Sequence, residues 1–134
     1  MMDSKSPYLL LVVNDESKVS RLIAALESDG YHFQKLTSLD YPLPEPRDAP
    51  PDLAILWFPY ASPEALTSLE KVILQIRGFG KTGELPILLI IDQYGSHWVE
   101  PGFRLGVTDI LTRPIHPLVL RQRVRLILRA KQTE

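Results

Sequence analysis

The residue types that carry catalysis or bind metals are scattered through this chain rather than gathered at recognisable spacings. Gly80-Lys81-Thr82 matches the tail of a phosphate-binding loop, but Gln75 stands where such a loop needs its first glycine, and the segment follows a helical pattern instead of a strand. The histidines at 32, 97 and 116 have no cysteine or second histidine at ligand spacing. We therefore expect no metal centre, no cofactor and no catalytic residue, and predict that the protein is not an enzyme.

Five short apolar runs alternate with segments of helical periodicity. The runs cover residues 8–13, 31–36, 53–58, 86–91 and 109–112, and they predict strands, most of them covered on both faces. The first helix is expected to begin with Ser17 as N-cap and to end at Gly30, and a second to begin at Pro63. A last helix is predicted from about Pro117, with Leu120, Val124, Ile127 and Leu128 facing inward.

Strands that alternate with helices predict an α/β fold, here a doubly wound five-stranded parallel sheet of flavodoxin-like topology. One crossover is irregular, because residues 39–51 carry prolines at 42, 44, 46, 50 and 51. Since no regular helix tolerates them, we expect an extended segment in place of the second crossover helix. Two interpretations of it stay open, a tolerated loop or a proline-rich segment that docks a partner.

Length and composition are those of one globular domain, which we place at residues 1–134 with its core within 8–130. The chain has 134 residues, 45% of them hydrophobic, no cysteine and a net charge of −1. We expect a cytoplasmic protein without a membrane span. The last helix carries no stop signal, which favours the N-terminal piece of a longer protein over a complete small one.

Three segments at the predicted strand ends carry a family resemblance. Asn14-Asp15-Glu16 follows the first strand, Asp52 to Leu56 leads to the end of the third, and Gly106 to Pro114 surrounds the fifth. In this order they resemble the motifs of bacterial response-regulator receiver domains. The resemblance implies a phosphorylation pocket at the carboxyl ends of the strands, and it makes the Arg113-Pro114 bond a candidate for the cis form.

The pocket that the resemblance implies is degenerate in this chain. A receiver domain needs a carboxylate pair for Mg²⁺, an acceptor aspartate, a hydroxyl, a lysine and a switch aromatic. The corresponding positions here are Asn14 and Asp15, Trp57, Ile91, Arg113 and Ile110. An indole cannot accept a phosphoryl group, and one carboxylate is lost. We also predict that Arg113 forms an ion pair or a near contact with Asp15.

The expected function is therefore that of a phosphorylation-independent receiver-like module that binds protein partners or a second copy. The family's surface of fourth helix, fifth strand and fifth helix would place Arg121, Arg125 and Arg129 along the last helix, where their guanidiniums could bind carboxylates of a partner. The net charge argues against direct nucleic-acid binding. The alternative is a flavodoxin-like FMN-binding protein, in which Trp57, Tyr60, Tyr94 and Trp98 would stack on the flavin.

Overall fold

The computed structural model describes residues 6–39, 41–46, 50–58, 63–80, 85–91 and 99–132. Five strands and four helices follow one another along these ranges. They are β1 Tyr8–Val12, α1 Glu16–Leu26, β2 His32–Leu36, β3 Leu53–Trp57, α2 Pro63–Arg77, β4 Ile87–Ile91, α3 Val99–Arg104, β5 Asp109–Thr112 and α4 Pro117–Gln132. Within these ranges no helix is long and apolar enough to cross a membrane.

The strands form one sheet in the order β2-β1-β3-β4-β5, and every neighbouring pair is parallel. The predicted doubly wound parallel sheet is therefore confirmed. β3 and β4 lie inside the sheet, and all their residues are buried, which explains why both read as continuous apolar runs instead of alternating patterns.

Two apolar layers cover the sheet, one on each face. Leu9 and Leu11 of β1 pack with α1 and with the inward residues of α4, while Leu10 and Val12 pack with α2. The residues predicted to face inward from α4 are all buried: Leu120, Val124, Ile127 and Leu128. Among the described residues no polar or charged side chain is fully buried. The side chains of the core therefore stabilise it through apolar burial.

The first helix begins earlier than the sequence predicted. Asp15, not Ser17, is the N-cap, and its carboxylate accepts hydrogen bonds from the Ser17 backbone N–H at 2.9 Å and the Ser17 hydroxyl at 2.7 Å. Both residue types cap helices well, and here the aspartate also receives the serine hydroxyl. Gly30 ends the 3₁₀ turn that follows α1 with φ 77°, as its predicted left-handed role requires.

The proline-rich crossover forms no regular element where the structure describes it. Residues 41–46 contain no helix or strand, which agrees with the prediction for this segment. Leu43 anchors it, because its side chain is buried and its backbone N–H and C=O bond the Gln75 side chain of α2 at 2.7 and 2.8 Å. Two backbone groups that would otherwise lack partners are thereby satisfied.

Candidate functional site

The predicted pocket positions meet at one edge of the sheet. Trp57 is the last residue of β3 and Ile91 the last of β4, while Asn14 and Asp15 follow β1, and Arg113 follows β5. Because all strands are parallel, their carboxyl ends share this edge. The topology thus brings together residues that lie up to about 100 positions apart in the chain.

Trp57 occupies the centre of this edge and is 1% exposed. Its indole belongs to the apolar layer beneath α1 and α4, and its Nε1–H has no hydrogen-bond partner among the described residues. Three cations lie near the ring. Lys18 Nζ is 5.3 Å from the ring centroid, Arg21 Cζ 5.9 Å and Arg113 Cζ 6.0 Å, distances at which the ring quadrupole attracts positive charge.

Asp15, the predicted pocket carboxylate, is the N-cap of α1. Its hydrogen bonds from the Ser17 hydroxyl and backbone, with a smaller contribution from the Lys18 charge, lower its pKa below the ordinary value. No ion pair between Asp15 and Arg113 is present among the described residues: Asp15 bonds Ser17, and the Arg113 guanidinium lies 6.0 Å from the centroid of the Trp57 ring.

The described part of the chain holds no group of three or more His, Cys, Asp or Glu residues that could bind a metal ion. Asn14 is exposed, and Ile91 is 1% exposed within the apolar layer under α2. Ile110 is half-buried and packs against the same apolar layer under α2. The Arg113–Pro114 peptide bond is cis, as the resemblance implies.

Two arginines of the predicted partner surface on α4 make contacts within the chain. Arg125 makes two hydrogen bonds of 2.8 Å to the Asp29 carboxylate, and Arg121 Nε donates to the Ala25 carbonyl at 3.2 Å. Ala25 lies in α1 and Asp29 in the 3₁₀ turn that follows it, so these guanidiniums bind α4 to the C-terminal end of α1 within the chain. Only Arg129 of the three is exposed. The spacing of four places the residues on one helical face, but that face meets α1 and not β5.

The side of α4 that faces β5 carries different residues, which the sequence did not single out. Arg123 forms an ion pair of 2.6 Å with Asp109 of β5. Val119 and Leu126 lie four positions before and three after Arg123, on the same helical face, and are 43% and 53% exposed. Phe103 of α3 is 46% exposed. Val119 and Leu126 could have been noticed in the sequence, because they are apolar residues of α4 that lie outside its inward stripe.

Comparison with known proteins finds relatives over most of the chain, although no protein-family model matches it. The chain is 28% identical to the chemotaxis protein CheY1 of Helicobacter pylori over 120 residues, which are 89% of this chain and 95% of that protein. It is 29% identical over 129 residues to the transcriptional regulatory protein BaeR of Escherichia coli, and these residues are 96% of this chain but 50% of BaeR.

Solved structures of response regulators also match the fold of this chain. A Chloroflexus aurantiacus protein assigned as a response regulator matches with a TM-score of 0.69 and 25% identity, over 92% of this chain and 98% of that one. A response regulator receiver protein from Pseudomonas putida shares the fold with a TM-score of 0.68. In its sheet order and the positions of its strand-end motifs, this chain is similar to the receiver domains of two-component response regulators.

Proposed function

We propose that this receiver domain is a non-catalytic signalling and interaction module that works without phosphorylation. The observation that carries the proposal is Trp57, which is buried at the end of β3, where the family resemblance places the acceptor aspartate. An indole offers one N–H donor and no nucleophilic oxygen, so it cannot form an acyl phosphate. We place the protein in the reducing cytoplasm, with which its lack of cysteine is compatible.

The neighbouring positions support the same proposal. Asn14 replaces one carboxylate of the Mg²⁺ pair, and Asp15 is engaged as the cap of α1. Ile91 offers no hydroxyl, and Ile110 no aromatic ring, for a switch that responds to a phosphoryl group. Mg²⁺ prefers several oxygen ligands in near-octahedral geometry, which one capped carboxylate does not supply.

The flavin alternative is not favoured. The relatives that match the chain are chemotaxis and transcriptional regulators. Of the four aromatic residues proposed to stack on a flavin, Trp57 is buried against the sheet, and Tyr60, Tyr94 and Trp98 lie outside the described residues. A flavin would need an exposed ring face, which Trp57 does not offer.

The proposal is tested by adding beryllofluoride and Mg²⁺ to the protein and following its amide NMR spectrum. The resonances of β3, β4 and β5 should not move beyond the shifts that the same salts cause without beryllium. Trp57→Asp should restore an oxygen acceptor but not full switching, because Asn14, Ile91 and Ile110 remain. A saturable shift across the sheet edge of the wild type would contradict the proposal.

For the partner surface we propose the side of α4 that faces β5, together with α3. Val119, Leu126 and Phe103 supply exposed apolar area there, and the Arg123–Asp109 ion pair adds a charged centre. Interfaces combine such apolar anchors with a polar surround. We propose a protein, which includes a second copy of this chain, as the occupant instead of nucleic acid, since the net charge is −1.

Sedimentation equilibrium tests self-association through this surface. Val119→Glu with Leu126→Glu should shift the wild-type equilibrium towards monomer, because each places a charge in an apolar contact. Leu74→Glu is the matched control, since Leu74 is similarly exposed, at 54%, on α2. A dimer unaffected by the double variant would exclude this surface, and a wild type monomeric at high micromolar concentration would exclude the second copy as its occupant.

A further inference from the structure

The strand β2 forms one edge of the sheet, and its outer side is open. Within the described chain β2 pairs with β1 alone. This parallel ladder uses the backbone of every second residue of β2: the His32 N–H donates to the Pro7 carbonyl at 2.9 Å, and the Leu36 carbonyl accepts from the residue after β1 at 3.0 Å. The N–H and C=O groups of Phe33 and Lys35 therefore point away from β1.

These outward backbone groups have no partner among the described residues. The chain that leaves β2 does not cover Phe33 and Lys35 where the structure describes it, because Leu43 is buried under α2, on a face of the sheet and not at its edge. At β5, the other edge strand, the Ile110 N–H is bonded by the Asp109 carboxylate at 2.9 Å. An uncovered edge strand is a template on which another strand can pair.

The sequence of β2 is complementary to a second copy of itself that runs antiparallel. A two-fold axis at Gln34 would place Phe33 opposite Lys35 of the second copy, and such a pair exchanges N–H···O bonds in both directions. No like charges stand opposite each other in this register. Lys35 faces an aromatic ring, which attracts a cation, and His32 faces Leu36.

The lysine on this edge does not prevent the pairing. Edge lysines discourage pairing when their charge projects across the edge. The Lys35 ammonium is instead bonded to Glu16 of α1 at 2.9 Å, so it lies along the α1 side of β2. Phe33 lies on the same side, is partly exposed, and packs against Tyr31 with ring centroids 6.4 Å apart. A second copy would bury more of the Phe33 ring.

We propose that β2 is a docking edge for a second copy of this chain, which continues the sheet across a two-fold axis at Gln34. Such an interface uses the same surface of both copies. Because each copy contributes one short strand, the association is transient. This edge lies across the sheet from β5, so it is separate from the surface proposed on α4 and α3 and independent of the lack of phosphorylation.

Disulfide formation in single-cysteine variants tests the proposal, because the chain has no cysteine of its own. The two Gln34 residues would form a non-hydrogen-bonded antiparallel pair with Cα atoms about 4.5 Å apart, which suits a disulfide. His32→Cys is the matched control, since His32 is more exposed but its symmetry mate lies more than about 12 Å away. With oxidised glutathione at high micromolar protein, Gln34→Cys should dimerise at least about tenfold faster than His32→Cys.

A second measurement does not depend on cysteine. As the wild-type concentration rises, the amide proton resonances of Phe33 and Lys35 should move downfield and saturate, because their N–H groups become bonded. Lys35→Pro removes one outward N–H, which an edge strand tolerates, and should abolish the shift at Phe33. Lys35→Ala is its control, because it loses the ion pair with Glu16 but keeps the N–H and should keep the shift.

Val119→Glu with Leu126→Glu should leave both measurements unchanged, which separates this edge from the surface on α4. The proposal is overturned if Gln34→Cys is linked no faster than His32→Cys, if the Phe33 and Lys35 amides of the wild type do not move with concentration, or if Lys35→Pro associates as well as Lys35→Ala.

Discussion

Replacing Trp57 should reveal how far packing, rather than polar contacts, stabilises the edge of the sheet at which the carboxyl ends of the strands meet. The indole is 1% exposed and packs with Leu22 and Leu120. Truncating a buried tryptophan typically costs about 3–5 kcal/mol. Because Trp57→Ala would also enlarge the adjoining cavity of about 80 Å³, we expect its free energy of unfolding to fall by an amount within that range.

Trp57→Phe should cost much less. Phenylalanine keeps an aromatic ring in the core, so less packing is lost than in Trp57→Ala. It also removes the Nε1–H that has no partner among the described residues, and relief of that unsatisfied donor, worth about 1–3 kcal/mol, offsets part of the lost packing. Phenylalanine binds cations less strongly than tryptophan, so the contacts with Lys18 and Arg21 weaken. The opposing effects should leave a net loss below about 2 kcal/mol.

Urea denaturation followed by far-ultraviolet circular dichroism measures both variants without relying on the tryptophan signal. Leu74→Ala is the control, because Leu74 is 54% exposed and its truncation should change stability by no more than about 0.5 kcal/mol. The reasoning is refuted if Trp57→Ala costs as little as this control, or if Trp57→Phe costs as much as Trp57→Ala.

Two further contacts give separate predictions. Hydrogen bonding from Arg125 lowers the pKa of Asp29 below its ordinary value of 3.8. The ionised Asp29 carboxylate therefore stabilises the fold above about pH 4, and this stabilisation is lost as the pH falls through the lowered pKa. The urea midpoints of the wild type and Asp29→Asn should accordingly converge from about pH 5 to about pH 2. Gln75→Ala should remove both bonds to the Leu43 backbone and lower stability by about 1–3 kcal/mol, with faster amide exchange at Leu43 measured by NMR.

Local sequence patterns predicted the bounds of strands and helices closely where a single strong signal marks the boundary. β5 spans Asp109–Thr112 and α4 begins at Pro117, as predicted, because a β-rich run and a proline at the first helical position are strong local signals. The cap of α1 was wrong because Asp15 and Ser17 are both good caps two residues apart. Which of the two residues caps α1 depends on the backbone path after β1, and the residue types alone do not show that path.

The contacts of the site could not be predicted, because they join distant segments. Periodicity placed Arg121 and Arg125 on one face of α4, but the neighbour of that face is set by how two helices pack on the sheet. The cations around Trp57 come from α1 and from the turn after β5. No local pattern links Lys18 with Arg113.

The intact mass of the protein after incubation with acetyl phosphate and Mg²⁺ shows whether any residue of the chain accepts a phosphoryl group. A receiver domain that retains its acceptor aspartate serves as the positive control under the same conditions. Our account predicts that the control gains one phosphoryl group while this chain keeps its mass, because Trp57 holds the acceptor position at the end of β3. A stoichiometric phosphoryl adduct on the wild-type chain would contradict it.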